Sequence, residues 1–100
     1  MWARLIINCG GIDLVAHDLV ADVITVGRAP LNHVVIDDPT VSAQHALLLR
    51  LGHSPRLKDL HSTNGTHING VSITEAQLND GDKIRFGSAV AIFAACSRYS

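Results

Sequence analysis

The chain has no surplus of positive charge. Its 8 Lys and Arg stand against 9 Asp and Glu, a formal net charge of -1 with His neutral. A general nucleic-acid binder needs a basic face, so this balance argues against that class, and any bound anion has to be met by local groups. Long apolar runs are also missing. The longest, Ala89 to Cys96, has the length of a strand and falls well short of the roughly 18 residues of a membrane span. Met1-Trp2-Ala3-Arg4 lacks the apolar core and cleavage site of a signal peptide. Only Cys9 and Cys96 are present, too few and too far apart for a disulfide framework, and a cytoplasmic location is expected.

What is present is apolar and punctuated by turns. Hydrophobic residues make up 47% and charged residues 17%, the balance of a globular chain, and 100 residues suit a single domain. Arg4–Asn8 reads as a strand, Cys9-Gly10-Gly11 as a turn, and Ile12–Ala16 as the return. Val23–Val26 is rich in β-branched residues and ends at Gly27-Arg28-Ala29-Pro30. Val34–Ile36 stops at Asp37-Asp38-Pro39. Ala46–Leu51 is the one run where a helix competes, but Gly52 and Pro55 confine it to strand length. Arg56–Leu60 alternates polar and apolar. Asn69-Gly70 between Thr66–Ile68 and Val71–Ile73 signals a type I′ hairpin. Asn79–Asp82 and Gly87-Ser88 frame the last two strands, Lys83–Phe86 and the closing apolar run. Many short strands without a convincing helix point to an all-β sandwich or barrel.

Chemistry concentrates in three turns. They hold Gly27-Arg28, Ser42-x-x-His45, and Ser62-Thr63-Asn64-Gly65. Loops at one end of a sandwich converge, so these turns offer a guanidinium fork, hydroxyls, an amide side chain and backbone N–H groups to one point. That donor set suits a phosphate. Taken singly, each piece has a plainer reading: Arg28 as a solvated turn residue, Ser42 as a turn cap, and His45 as a buried structural histidine. Asn64-Gly65 and Asn69-Gly70 also serve as simple turns. Ser42, His45 and Asp59 can be drawn as a hydrolytic triad, but no Gly-x-Ser-x-Gly elbow or oxyanion segment accompanies them, and no enzyme is expected. The six histidines, His17, His33, His45, His53, His61 and His67, match no zinc spacing, so neither metal nor cofactor is expected.

The whole series is more specific than its parts. Gly27-Arg28, Ser42-x-x-His45, Asp59-Leu60-x-Ser62-Thr63-Asn64-Gly65-Thr66, Asn69-Gly70 and Leu78-x-Asp80-Gly81-Asp82-x-Ile84-x-Phe86-Gly87 together resemble the forkhead-associated (FHA) domain. The resemblance implies an FHA-type β-sandwich of about eleven mostly antiparallel strands. It also implies one domain over residues 1–100, with its motifs in 27–87, that binds phosphothreonine peptides and mediates phosphorylation-dependent protein interactions in signalling. By that resemblance Arg28 and Ser42 hold the phosphate, Thr63 assists and Asn64 bonds the ligand main chain, while Gly27, His45 and Gly65 shape the loops. The expected partner is a phosphothreonine protein, met by a monomeric module of a larger protein.

Two departures qualify the match. Ala43 stands where the family often has Arg, Lys or Asn, removing a contact worth about 1.5–3 kcal/mol. Thr40 in the specificity loop is not basic. The alternative is an FHA-fold scaffold without phosphopeptide binding, as in the basal bodies of type III secretion systems. The resemblance also makes the first and last strands antiparallel neighbours, which separates Cys9 and Cys96 by roughly 20 Å and leaves both thiols unpaired.

Overall fold

Strand alternation decides which residues meet between the layers. In β1 (Ala3–Asn8), β10 (Lys83–Phe86) and β11 (Ala89–Ala95), every second side chain is buried. These strands supply Leu5, Ile7, Ile84, Phe86, Ala91 and Phe93 to the interior. From the facing layer, β3 (Val23–Gly27), β5 (Ala46–Leu51) and β6 (Ser54–Asp59) supply Ile24, Val26, Ala46, Leu48 and Leu57. Burying such a side chain is worth about 1.5–3 kcal/mol, so this interior is the main source of stability. The computed structural model describes residues 1–8, 14–52 and 54–96.

The described residues form eleven strands and no helix. The remaining strands are β2 (Leu14–Leu19), β4 (Val34–Val35), β7 (Thr66–Ile68), β8 (Val71–Ile73) and β9 (Glu75–Gln77). One sheet has the order β2-β1-β11-β10-β7-β8 and the other β4-β3-β5-β6-β9. All pairings are antiparallel except β3 with β4. The expected sandwich is thus found, and Ala46–Leu51 is a strand.

Two local expectations and one unforeseen strand compare with the structure as follows. Asn69 and Gly70 both have positive φ, 50° and 85°, as the type I′ turn requires. The Cys9-Gly10-Gly11 turn lies outside the described residues, although its flanking strands pair with Asn8 opposite Leu14. Strand β9 has no counterpart in the sequence reading. Glu75-Ala76-Gln77 contains no β-branched residue, and its conformation comes from pairing with β6 and from the Arg56–Glu75 ion pair.

The first and last strands are antiparallel neighbours, with Ala3 opposite Ala95. Trp2 closes this end. It is buried against Phe93, and its Nε1–H donates to the Ala21 carbonyl at 2.8 Å. Cys96 is a free thiol beside it; the position of Cys9 falls outside the described residues.

Candidate functional site

At the opposite end of the sandwich, four connections converge, and His45 ties two of them together. The residue is fully buried, just ahead of β5. The Ser42 backbone N–H donates to His45 Nδ1 at 3.0 Å, which fixes that nitrogen as the acceptor. Nε2 therefore carries the proton and donates to the Gly65 carbonyl at 2.9 Å. The ring stands edge-on to Phe86, with centroids 5.7 Å apart. Burial pushes its pKa below the ordinary histidine value; the Gly65 bond and the charge of Asp59 pull the other way and are outweighed. A neutral His45 thus holds the β4–β5 connection, which carries Ser42, to the β6–β7 connection, which carries Thr63, Asn64 and Gly65.

The β6–β7 connection is shaped from within by Asp59. Its carboxylate accepts the hydroxyls of Ser62 and Thr66 and the Ser62 N–H. Burial raises the Asp59 pKa, but these hydrogen bonds outweigh burial and hold it below the usual carboxylate value. His61, a residue other than glycine, takes φ 55° in the same turn. Asp59 is therefore occupied with its own loop. His45 meets a backbone N–H of Ser42 and not its hydroxyl, so Ser42, His45 and Asp59 are not connected as a nucleophile, base and orienter.

Arg28 follows β3 directly and is exposed. Its backbone N–H donates to the Ser42 carbonyl and its Nε to the Val41 carbonyl, both at 3.0 Å. The terminal guanidinium nitrogens have no partner among the described residues. The side chain is thus fixed at Nε while its two outer nitrogens stay available, which preserves the bidentate fork. Next to it, Ser42 Oγ accepts the Thr63 N–H at 3.1 Å, so its own hydroxyl proton is free to donate. Thr63 is exposed. Asn64 donates through Nδ2 to the Thr40 carbonyl at 2.8 Å, which orients its amide and leaves Oδ1 as an acceptor.

Gly27 has a steric reason to lack a side chain. A Cβ there would sit 2.3 Å from the Ala43 carbonyl oxygen and 2.7 Å from Asn32 Nδ2. Ala43 itself is exposed, and its carbonyl accepts the Ala29 N–H and Asn32 Nδ2. The structure therefore brings Arg28, Ser42, Thr63 and Asn64 to one end, with Gly27, His45 and Gly65 in the loops that carry them.

Sequence reasoning passed over three contributors. Asn32 bridges the carbonyls of Ala29 and Ala43. Asp38 accepts both the N–H and the hydroxyl of Thr40, and these bonds hold its pKa down. The Asp-x-Thr spacing is an Asx-turn signal that reveals this pair locally. Ser88 donates its N–H to Thr40 Oγ1 at 2.8 Å across 48 residues, so no local pattern announces it. Gly87 has the matching reason to be glycine: a Cβ would lie 2.4 Å from the Thr40 carbonyl oxygen, and its φ is 60°. Among the described residues no three His, Cys, Asp or Glu side chains gather into a metal-binding group.

Comparison with known proteins agrees with this geometry. The FHA domain family matches residues 24–87. The transcriptional regulatory protein EmbR of Mycobacterium tuberculosis is 39% identical over 70 residues, covering 69% of this chain and 18% of EmbR. The solved structure of EmbR in complex with a low-affinity phosphopeptide superposes with a TM-score of 0.81 at 30% identity, covering 93% of this chain and 24% of that one. A structure from a study of phosphothreonine-dependent FHA domain interactions superposes at 0.84 and 30% identity, covering 96% of this chain and 98% of that one. The chain spans less than half the length of the curated relatives it matches.

Proposed function

The chain belongs to the forkhead-associated family, and from that premise we propose that it binds phosphothreonine peptides and so mediates phosphorylation-dependent protein association. The observation that carries this reading is the state of Arg28. Its Nε is anchored on Val41, its outer nitrogens have no partner among the described residues, and it lies beside a Ser42 hydroxyl free to donate. Arg28 and Ser42 hold the phosphate, the Thr63 hydroxyl assists, and Asn64 Oδ1 accepts an N–H from the ligand main chain. Gly27, His45 and Gly65 set the loops. The phosphopeptide bound by EmbR and the phosphothreonine-dependent interactions of the other FHA structure support phosphopeptide binding here. We place the module in the cytoplasm, as a monomeric single domain of a larger signalling protein.

Ala43 offers no side-chain contact, so the affinity expected is on the order of micromolar, about -8 kcal/mol. Fluorescence polarisation against a degenerate phosphothreonine library tests the proposal, with the unphosphorylated library as control. Arg28→Ala removes the charged partner of the phosphate, a loss of about 2–5 kcal/mol, and takes binding beyond detection. The fold survives, because Arg28 is exposed and contributes one side-chain hydrogen bond to the protein. Absence of binding by the wild type at about 1 mM, a ceiling of roughly -4 kcal/mol, selects the scaffold reading instead.

A further inference from the structure

The phosphate cup leaves part of the chain's positive charge unexplained. Arg4, Arg50 and Arg56 sit in ion pairs with Asp18, Asp22 and Glu75, each at 2.9 Å. Lys83 and Arg85 have no carboxylate within ion-pair range among the described residues. Both are exposed on β10, where they alternate with buried Ile84 and Phe86. They therefore share the outer face of the six-stranded sheet. Arg85 lies across from His67 on β7, and these three side chains line one shallow depression together with Asn69 and Gly70.

Two details make this shelf more than scattered surface charge. His67 Nδ1 is buried with no hydrogen-bond partner among the described residues, whereas nearly all buried polar atoms are satisfied. Among the described residues no hydrogen bond holds the ring. Neighbouring like charges on one sheet face also repel, a cost that a bound anion relieves. The chain as a whole is not basic, so this is a local arrangement. Moreover, the shelf starts where the cup ends. His67 Cε1 lies 3.5 Å from where a Cβ on Gly65 would be, and Gly65 follows Asn64 directly. His67 is three residues beyond Asn64, at most about 10 Å along the chain, since Gly65 turns it at φ 83°. Lys83, opposite the position after Ile68, is one to two residues further along.

We infer that His67, Arg85 and Lys83 form a second anion subsite for the same ligand, taking a carboxylate or a second phosphate about three to five residues from the phosphothreonine. The inference rests on the phosphothreonine reading above.

Three phosphothreonine peptides test it: one with neutral flanks, one with Asp three to five residues away on either side, and one with phosphoserine at those places. Each is titrated against the wild type and a Lys83→Ala/Arg85→Ala double variant. Both side chains are exposed, so the double variant keeps its fold, and its neutral-peptide affinity should equal that of the wild type. Exposed ion pairs contribute little each, so the acidic peptides should bind about 3- to 10-fold tighter to the wild type, and the gain should vanish in the variant. Gain with phosphoserine alone identifies a doubly phosphorylated ligand; gain with Asp as well identifies an acidic segment. Equal affinity for neutral and acidic peptides overturns the inference and leaves the phosphothreonine reading standing, as does a gain that survives in the variant. Failure of every phosphothreonine peptide to bind removes that reading and the subsite with it.

Discussion

Replacing His45 by alanine should cost a large part of the domain's stability, and the structure gives the terms. The substitution strands two polar groups at once, the Ser42 N–H and the Gly65 carbonyl. Leaving a buried group unsatisfied costs about 1–3 kcal/mol; the ends of both bonds are partly open to water, so about 1 kcal/mol each is appropriate. The edge-on contact with Phe86 adds about 0.5–1.5 kcal/mol. The emptied ring volume next to fully buried Phe86 and Ala46 adds a further cavity cost of about 1 kcal/mol. The sum is roughly 3–5 kcal/mol, a sizeable share of the 5–15 kcal/mol typical of a domain. At about 4–8 °C per kcal/mol for 100 residues, the melting temperature should fall by 12 °C or more. Urea denaturation gives the free energy directly. Phosphopeptide titration of the still-folded fraction should also show weakened binding, because Ser42 and Gly65 lose their common anchor. A variant within about 1 kcal/mol of the wild type would refute the reasoning, since the two loops would then be held by something other than this ring.

Acid should act on the same residue. His45 has a folded pKa below that of the unfolded chain, so on acidification the unfolded state takes up the proton first. Its contribution is complete above about pH 6.5 and is lost as pH falls through the folded value; Asp59 and Asp38, also lowered, extend the loss below about pH 4. A urea midpoint that does not move between about pH 7.5 and 5 contradicts this. Gly27→Ala should destabilise by about 1–3 kcal/mol and weaken phosphopeptide binding, because its Cβ has to displace the Ala43 carbonyl; calorimetric melting paired with peptide titration reads both effects. Phosphoserine in place of phosphothreonine should bind about 5- to 150-fold more weakly, the γ-methyl supplying roughly 1–3 kcal/mol through burial and a stiffer χ1. Equal heats and affinities in calorimetry would mean that no methyl pocket exists.

How much of this was legible beforehand depended on the range of the forces involved. Lys83-Ile84-Arg85-Phe86 declares its strand by alternation alone, and the structure agrees residue for residue. Asn69-Gly70 declares its turn because both positions need positive φ. The convergence of Arg28, Ser42, Thr63 and Asn64 was legible because each sits at a turn with small or glycine neighbours, and the FHA resemblance supplied their common end. Strand β9 was not legible: Ala76 is extended because Leu57 lies beside it, not because of its own preference. The role of Asn32 was hidden for the same reason, as its second acceptor is eleven residues away. The Thr40–Ser88 contact, 48 residues apart, exists only once β10 and β11 bring their turn to the β4–β5 connection.

The pairing of β1 with β11 also governs how the domain responds to being pulled. Ala3 and Ala95 face each other at the end away from the cup, so tension applied between them opens the ladder one rung at a time, beginning at the Trp2–Cys96 bond. Each rung bears the full load alone, which makes this direction mechanically weak. Tension between a peptide seated in the cup and Ala95 runs lengthwise along β11 for about 20 Å. Its bonds to β1 and β10 are then loaded in parallel, in shear, and share the force. The same strand thus unzips when its own end is peeled from its neighbour and holds as a strut when a bound partner pulls against it.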